Sequence, residues 1–240
     1  MNKKIKKVLA LGAHDDDVLI GIGGILLAKH SGDDIKIQIF TSGENSHLKV
    51  LGIYEDPTPK EVAHARRQEL EAAYGELKNS GLELAYSQWE YPDTCGALTN
   101  AEETIKQRLT SLITSYQPDI IYFQSPDAHE DHRLVHLATT ETMQKISYAK
   151  ETYIYTIWTE EFAKHRPEID PSLISEISKR PEIIDIRKFI DIKRKALYHF
   201  KSQIEIWPYL SWQPQSAPIL DASFLRYFLR GEEIITKIEL

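Results

Sequence analysis

The stretch LGAHDDDVLIGIGG, residues 11–24, decides how this chain is read. It places a histidine and three consecutive aspartates directly after an apolar run. Like charges this close repel, and a carboxylate beside a core is costly unless a partner offsets it. An acidic triplet alone is most often a solvated turn; the other reading is a cation site. On its C-terminal side, GIGG and then ILLAKHS read as a helix packed closely through its glycines. On its N-terminal side, residues 6–12 read as a buried strand.

Working outward, the same strand–helix alternation recurs. IKIQIFTSG (35–43) is a second strand, and residues 44–58 form a loop. Pro59 opens a helix that runs to about Leu77. ELAYSQWEY (83–91) is a third strand, ended by Pro92, and residues 101–116 form an amphipathic helix. PDIIYFQS (118–125) is a fourth strand, followed at once by PDAHEDHRLVH and a helix from about His132 to Ile146. ETYIYTIW (151–158) is a fifth strand. Residues 163–182 read as a loop with a short helix, 187–203 as a basic helix, and 232–240 as a final strand. With no repeat and no dividing linker, the expectation is one α/β domain over residues 1–240, a Rossmann-like, mostly parallel sheet flanked by helices.

The bulk numbers narrow the function. The 240 residues are 42% apolar and 27% charged, with a net charge of -7, which argues against a general nucleic-acid binder. The single cysteine, Cys95, excludes an intrachain disulfide and a cysteine-rich zinc site, so any metal relies on His, Asp or Glu. No apolar run reaches the length of a membrane span, and the basic start MNKKIKK lacks a signal-peptide pattern, so a cytoplasmic location is expected.

In open parallel sheets, ligands bind beyond the carboxyl ends of the strands. The HDDD cluster follows strand one, Gly43-Glu44 strand two, Tyr91-Pro92-Asp93 strand three, and His129 and His132 strand four. His14, Asp17 and His132 then make a two-histidine, one-carboxylate set with an open position for water, as in catalytic zinc sites. Asp16 would take a proton from that water, and His129 would present a cation to a developing oxyanion. Amide hydrolysis is the natural reaction. Asp131 reads as a helix N-cap or a partner for a histidine ring, His136 as a helix-face residue, and His30, His47, His64 and His165 as exposed.

These segments carry a family resemblance. AHDDDVLIGIGG resembles the AHPDD(E/V)xxxxGG segment of the PIG-L/LmbE-like deacetylases, and HEDH (129–132) resembles their HPDH segment. RRQELEAAYGEL (66–77) is similar to a helix with an RxxE pattern, YPD (91–93) to a short turn, QPDIIYF (117–123) to the strand before the second histidine pair, and KRKALYHFKSQ (193–203) to a late KxxALxxHxSQ segment. The resemblance implies zinc-dependent removal of an acyl group, usually acetyl, from an amino sugar or related small molecule. It implies His14, Asp17 and His132 as zinc ligands, Asp16 as general base, His129 as stabiliser of the tetrahedral intermediate, and Arg66 and Asp93 as sugar contacts. Without it, Arg66 would read as a surface residue paired with Glu69.

The sequence departs from the pattern at Asp15 and Glu130, each in place of a proline. These added charges are expected to raise the pKa of Asp16 and to discourage acidic substrates. Phe200 stands where the family has histidine, and Asp127 where some members have tyrosine. A homo-oligomer stays open, as do other divalent metals. So do three further readings: a non-heme iron enzyme using the same three ligands, a nucleotide-binding module, and a non-catalytic binding protein.

Overall fold

The computed structural model describes residues 4–47, 57–94, 96–158, 181–206 and 217–239. Its strands are β1 (Lys7–Gly12), β2 (Asp34–Thr41), β3 (Leu84–Tyr91), β4 (Ile120–Gln124), β5 (Glu151–Tyr155), β6 (Pro181–Asp185) and β7 (Glu232–Lys237). Its helices are α1 (Asp17–Lys29), α2 (Pro59–Asn79), α3 (Ala97–Asn100), α4 (Glu102–Tyr116), α5 (Glu130–Lys145), α6 (Ile190–Leu197), α7 (Lys201–Ile204) and α8 (Ala222–Phe228).

The strands form one sheet in the order β3-β2-β1-β4-β5-β7-β6. The first five are mutually parallel; β7 runs antiparallel to β5, and β6 antiparallel to β7. The order reverses between β1 and β4, whose neighbours lead in opposite directions. That reversal is the switch point at which open α/β sheets leave a crevice beyond the strand ends. It lies where the HDDD and HEDH segments follow their strands.

Apolar residues cover both faces of the sheet. One core gathers Val8, Ala10, Ile35 and Ile37 with side chains of α1, α2 and α8. The other gathers Leu9, Leu11, Ile121 and Phe123 with α4 and α5. Helix α1 is buried from Asp17 to Leu27, which accounts for its being apolar all round. Its glycines permit close approach: a Cβ on Gly21 would lie 2.3 Å from the Tyr155 ring, and one on Gly24 2.6 Å from Ile186. Helix α2 starts at Pro59, as its sequence predicts, with a capping box between Thr58 and Glu61.

The C-terminal third differs from the expected pattern. The basic stretch 187–203 is not one helix: α6 ends at Leu197, the buried Phe200 turns inward, and α7 is a separate turn. Strand β6 and helix α8 have no counterpart in the sequence pattern. β6 is a five-residue edge strand starting on proline, too short to announce itself. Of the expected loop at 163–182, residues 163–180 lie outside the described residues, as do Cys95, His165, Trp207, Tyr209 and Trp212, and its last two residues are the start of β6 instead. Phe224 and Phe228 pack into the core. Among the described residues, no helix is long and apolar enough to cross a membrane.

Candidate active site

The end of β1 is laced to both neighbours. Ala13 N–H donates to Gln124 Oε1 at 2.6 Å, and Ala13 O accepts from the Thr41 N–H and hydroxyl. The chain then turns through His14, Asp15 and Asp16 into α1, and Asp17 Oδ2 accepts from the His14 N–H at 2.6 Å. Asp17 lies in the first turn of α1, where the helix dipole favours a carboxylate. Beyond β4, His129 caps α5: its Nδ1 accepts from the Asp131 N–H at 3.2 Å, which makes His129, not Asp131, the cap.

Two ring nitrogens and the two oxygens of one carboxylate meet here. His14 Nδ1 lies 3.2 Å from Asp17 Oδ2, His132 Nε2 lies 3.3 Å from His14 Nδ1, and His132 Nε2 lies 3.5 Å from Asp17 Oδ1. Ligands about 2.0–2.1 Å from a tetrahedral zinc ion stand about 3.3–3.4 Å apart, and the His14–His132 nitrogen pair, with an Asp17 oxygen 3.2 or 3.5 Å from each, is of that order. One nitrogen each of His14, His129 and His132 also lie within 4.8 Å of one another. His129 therefore stands close by, outside the tighter triangle.

Each ring of the triangle is held from behind by a carboxylate. His132 Nδ1–H donates to Asp127 at 2.8 Å, and His14 Nε2–H donates to Asp131 Oδ2 at 3.0 Å. Asp131 Oδ2 also accepts from the Thr94 N–H at 2.9 Å, which ties the turn after β3 to the cluster. Such partners fix the tautomer and orientation of metal-binding histidines.

The electrostatics fit a cation. Burial opposes charge on either ring, but Asp17 and Asp131 outweigh it at His14, which is raised well above its ordinary value. Asp127 and Asp17 do the same at His132, raising it to about 9. Burial would raise Asp17, yet His132 and His14 hold it well below the usual carboxylate range. Carboxylates converging on two rings draw positive charge to this point. The three histidines, their spacing and the charge around them could hold a metal ion, with the Asp17 carboxylate at hand.

Asp16 lies beside the triangle, 6% exposed. Burial pushes its carboxyl up to about 7; Asp15 and Asp17 add to this and Arg66 opposes it. Arg66 is buried, not on the surface, and forms a bidentate pair with Asp15 through Nε and an Nη, with Asp16 Oδ1 3.5 Å away. Asp15 is thus paired with an arginine, and it still adds to the upward push on Asp16, as its charge was expected to. Glu69 does not pair with Arg66; it accepts from Ser202. Asp93 is buried, its Oδ1 accepting from the Asn45 N–H at 2.7 Å, and burial raises its carboxyl. His129 is a neutral ring, not a cation: burial beside His14 and His132 pushes it down to about 2. With Nδ1 accepting, its proton sits on Nε2.

These residues share a cavity of about 470 Å³. His14, Asp16, Asp17, His129 and His132 line one part of it, and Asn45, Arg66, Asp93 and Gln203 a polar wall. Ile157, Trp158, Ile219 and Leu220 supply an apolar wall. The structure thus brings all seven sequence-derived residues to one cavity. Sequence reading misses the roles of Asp127, Gln124 and Gln203. Asp127 has a signal in its place at a strand end, five residues before His132. Two histidines expected on the surface are buried: His30 bonds to Asp33 and the Tyr122 hydroxyl, and His47 is 3% exposed. His64 is exposed as expected.

The fold and this cluster define a Rossmann-like α/β protein with histidines and aspartates gathered at the sheet's switch point. A family model, PIG-L (GlcNAc-PI de-N-acetylase), matches residues 9–143, more than half of the chain, and the chain belongs to that family. No curated protein matches the sequence. Among solved structures, it is similar to the N,N'-diacetylchitobiose deacetylase of Pyrococcus horikoshii, with a TM-score of 0.65 and 20% identity over 98% of this chain and 84% of that one. It is also similar to the A40926 pseudoaglycone deacetylase, with a TM-score of 0.67 and 16% identity over 98% of each chain. A third is the 4-carboxy-2-hydroxymuconate hydratase of Pseudomonas putida, with a TM-score of 0.63 and 20% identity over 83% of this chain and 80% of that one. At these identities the likeness is one of fold. One fold serves a hydratase as well as deacetylases, so the chemistry rests on the site.

Proposed function

We propose that residues 1–240 form one metal-dependent N-deacylase domain, with zinc as the ion. The substrate is a small N-acylated molecule, most simply an N-acetylated amino sugar. The observation that carries this reading is the donor triangle of His14, Asp17 and His132 with Asp16 beside it at the wall of one cavity. A bound zinc ion supplies Lewis acidity, polarising the acyl carbonyl and activating water.

The chain's own residues do the rest. Asp16, with a carboxyl poised near neutrality, takes the proton of the attacking water and returns it to the leaving amine nitrogen. His129 Nε2–H donates to the developing oxyanion as a neutral hydrogen-bond donor. Asp127 and Asp131 hold the ligand rings in the tautomer that offers His132 Nε2 and His14 Nδ1 to the ion. Arg66 and Asp93 line the polar wall, where they would meet substrate hydroxyls, and Asp15 fixes the Arg66 guanidinium.

The family and the deacetylase neighbours support this reading over iron chemistry, as does a Rossmann-like sheet in place of a β-barrel. The test is a panel of N-acetylated sugars assayed for released amine, with chelator and with zinc restored. Release that chelator abolishes and zinc restores is expected. Release unaffected by chelator, or none from any panel member, contradicts the proposal.

A further inference from the structure

In the cavity that the His14, Asp17 and His132 cluster lines, the amide of Gln203 is held in one orientation by a relay that begins on α2. Glu69 Oε1 accepts from the Ser202 N–H at 2.7 Å, and Glu69 Oε2 accepts from the Ser202 hydroxyl at 2.6 Å. A carboxylate only accepts, so the hydroxyl proton of Ser202 is committed to Glu69. Ser202 Oγ can then only accept, and it does so from Gln203 Nε2 at 3.0 Å. The amide nitrogen therefore faces Ser202, and the carbonyl Oε1 faces the other way. The Gln203 main chain is pinned as well: its N–H donates to Phe200 O at 2.9 Å, and its O accepts from the Leu220 N–H at 2.8 Å.

Gln203 is 2% exposed and lines the cavity. Among the described residues, no donor reaches its Oε1. A rigidly held acceptor on the cavity that Arg66 and Asp93 also line suits a ligand whose groups both donate and accept. Hydroxyl groups on a ring do so. We propose that Gln203 is a specificity-determining residue: its Oε1 accepts a hydrogen bond from a hydroxyl of the substrate, with Ser202 and Glu69 as positioning residues that forbid the amide to turn over. This deepens the N-deacylase reading, on which it rests, by selecting hydroxylated ring amides over apolar ones.

The probes are N-acetyl-D-glucosamine and N-cyclohexylacetamide, which share a six-membered ring and an acetamide but differ in ring hydroxyls. Binding is measured by calorimetry on the zinc-loaded wild type, Gln203→Met and Ser202→Ala, with amine release followed in parallel. The wild type is expected to bind N-acetylglucosamine more tightly than N-cyclohexylacetamide. Gln203→Met, close in length and lacking the acceptor, should weaken N-acetylglucosamine about tenfold or more and leave N-cyclohexylacetamide unchanged. Ser202→Ala, which frees the amide to rotate, should give a smaller loss in the same direction. The proposal is overturned if the wild type does not prefer the hydroxylated probe, a comparison that needs no variant to fold. It is equally overturned if Gln203→Met affects both probes alike or neither. Preference for the hydroxylated probe without amine release would count against the deacylase reading and leave the Gln203 assignment standing; amine release without Gln203 dependence would do the reverse.

Discussion

His132 donates from Nδ1 to the Asp127 carboxylate at 2.8 Å, and this turns its Nε2 toward His14 and Asp17. Asp131 does the same for His14 from the other side. Neither aspartate is a vertex of the donor triangle, yet each sets which nitrogen its histidine offers. Asp127→Asn and Asp131→Asn are therefore expected to weaken zinc by about 10–100-fold each without removing a ligand. Competition against a chromophoric chelator measures this; affinities equal to the wild type would show the carboxylates to be bystanders.

Asp16 is a different case, since it touches neither ring through a hydrogen bond. Asp16→Asn should keep zinc at the wild-type stoichiometry while turnover falls by about 10²–10⁴-fold. Elemental analysis and single-turnover amine release on one preparation separate the two effects. Normal turnover would remove Asp16 from the role of base.

His47 makes the fold sensitive to acid. Burial and the nearby Arg66 push its pKa down to about 4, against a small opposing effect from the Ser202 carbonyl. The folded state thus holds the ring neutral while the unfolded chain protonates it near pH 6.5, so unfolding takes up a proton between these values. Stability falls as pH drops from about 6.5 to 4, by up to about 3 kcal/mol from this group. His47→Gln should flatten that part of the curve in chemical denaturation across the range. An unchanged slope would mean that the ring titrates alike in both states.

Lys193 and Glu233 form a buried pair at the other face of α1. Lys193 Nζ donates to Glu233 Oε1 at 2.7 Å and to Ile20 O and Phe228 O, while Glu233 accepts from the Gly24 and Ile25 N–H groups. Burial lowers the lysine and raises the glutamate, so neither tolerates loss of the other. Glu233→Ala is expected to cost about 3–5 kcal/mol, read as a fall in Tm of roughly 10 °C or more. A double replacement by apolar residues of similar volume should recover much of it.

The boundary between legible and hidden features in this sequence is a physical one. Strands β1, β2 and β4 are legible as apolar runs and β3 and β5 as short aromatic-rich stretches, and the rim is legible because His14, Asp93 and His132 all come after such strands. The partners of those residues are not. Asp15 against Arg66 and Glu69 on Ser202 are tertiary pairings between segments whose local sequence does not name the partner, and Asp127, five residues before His132, is marked only by its place at a strand end. His30 and His47 read as surface residues because nothing local shows the burial that packing imposes. The break at Phe200 has the same origin: a basic helical pattern yields to the burial of one aromatic ring.

The central claim is that one ion is shared by His14 Nδ1, His132 Nε2 and the Asp17 carboxylate. The direct measurement is anomalous diffraction at the zinc edge from crystals of zinc-loaded protein. A single strong peak is predicted within about 2.0–2.2 Å of all three donors. A peak elsewhere in the molecule, or an ion held without His14 or Asp17, would contradict it.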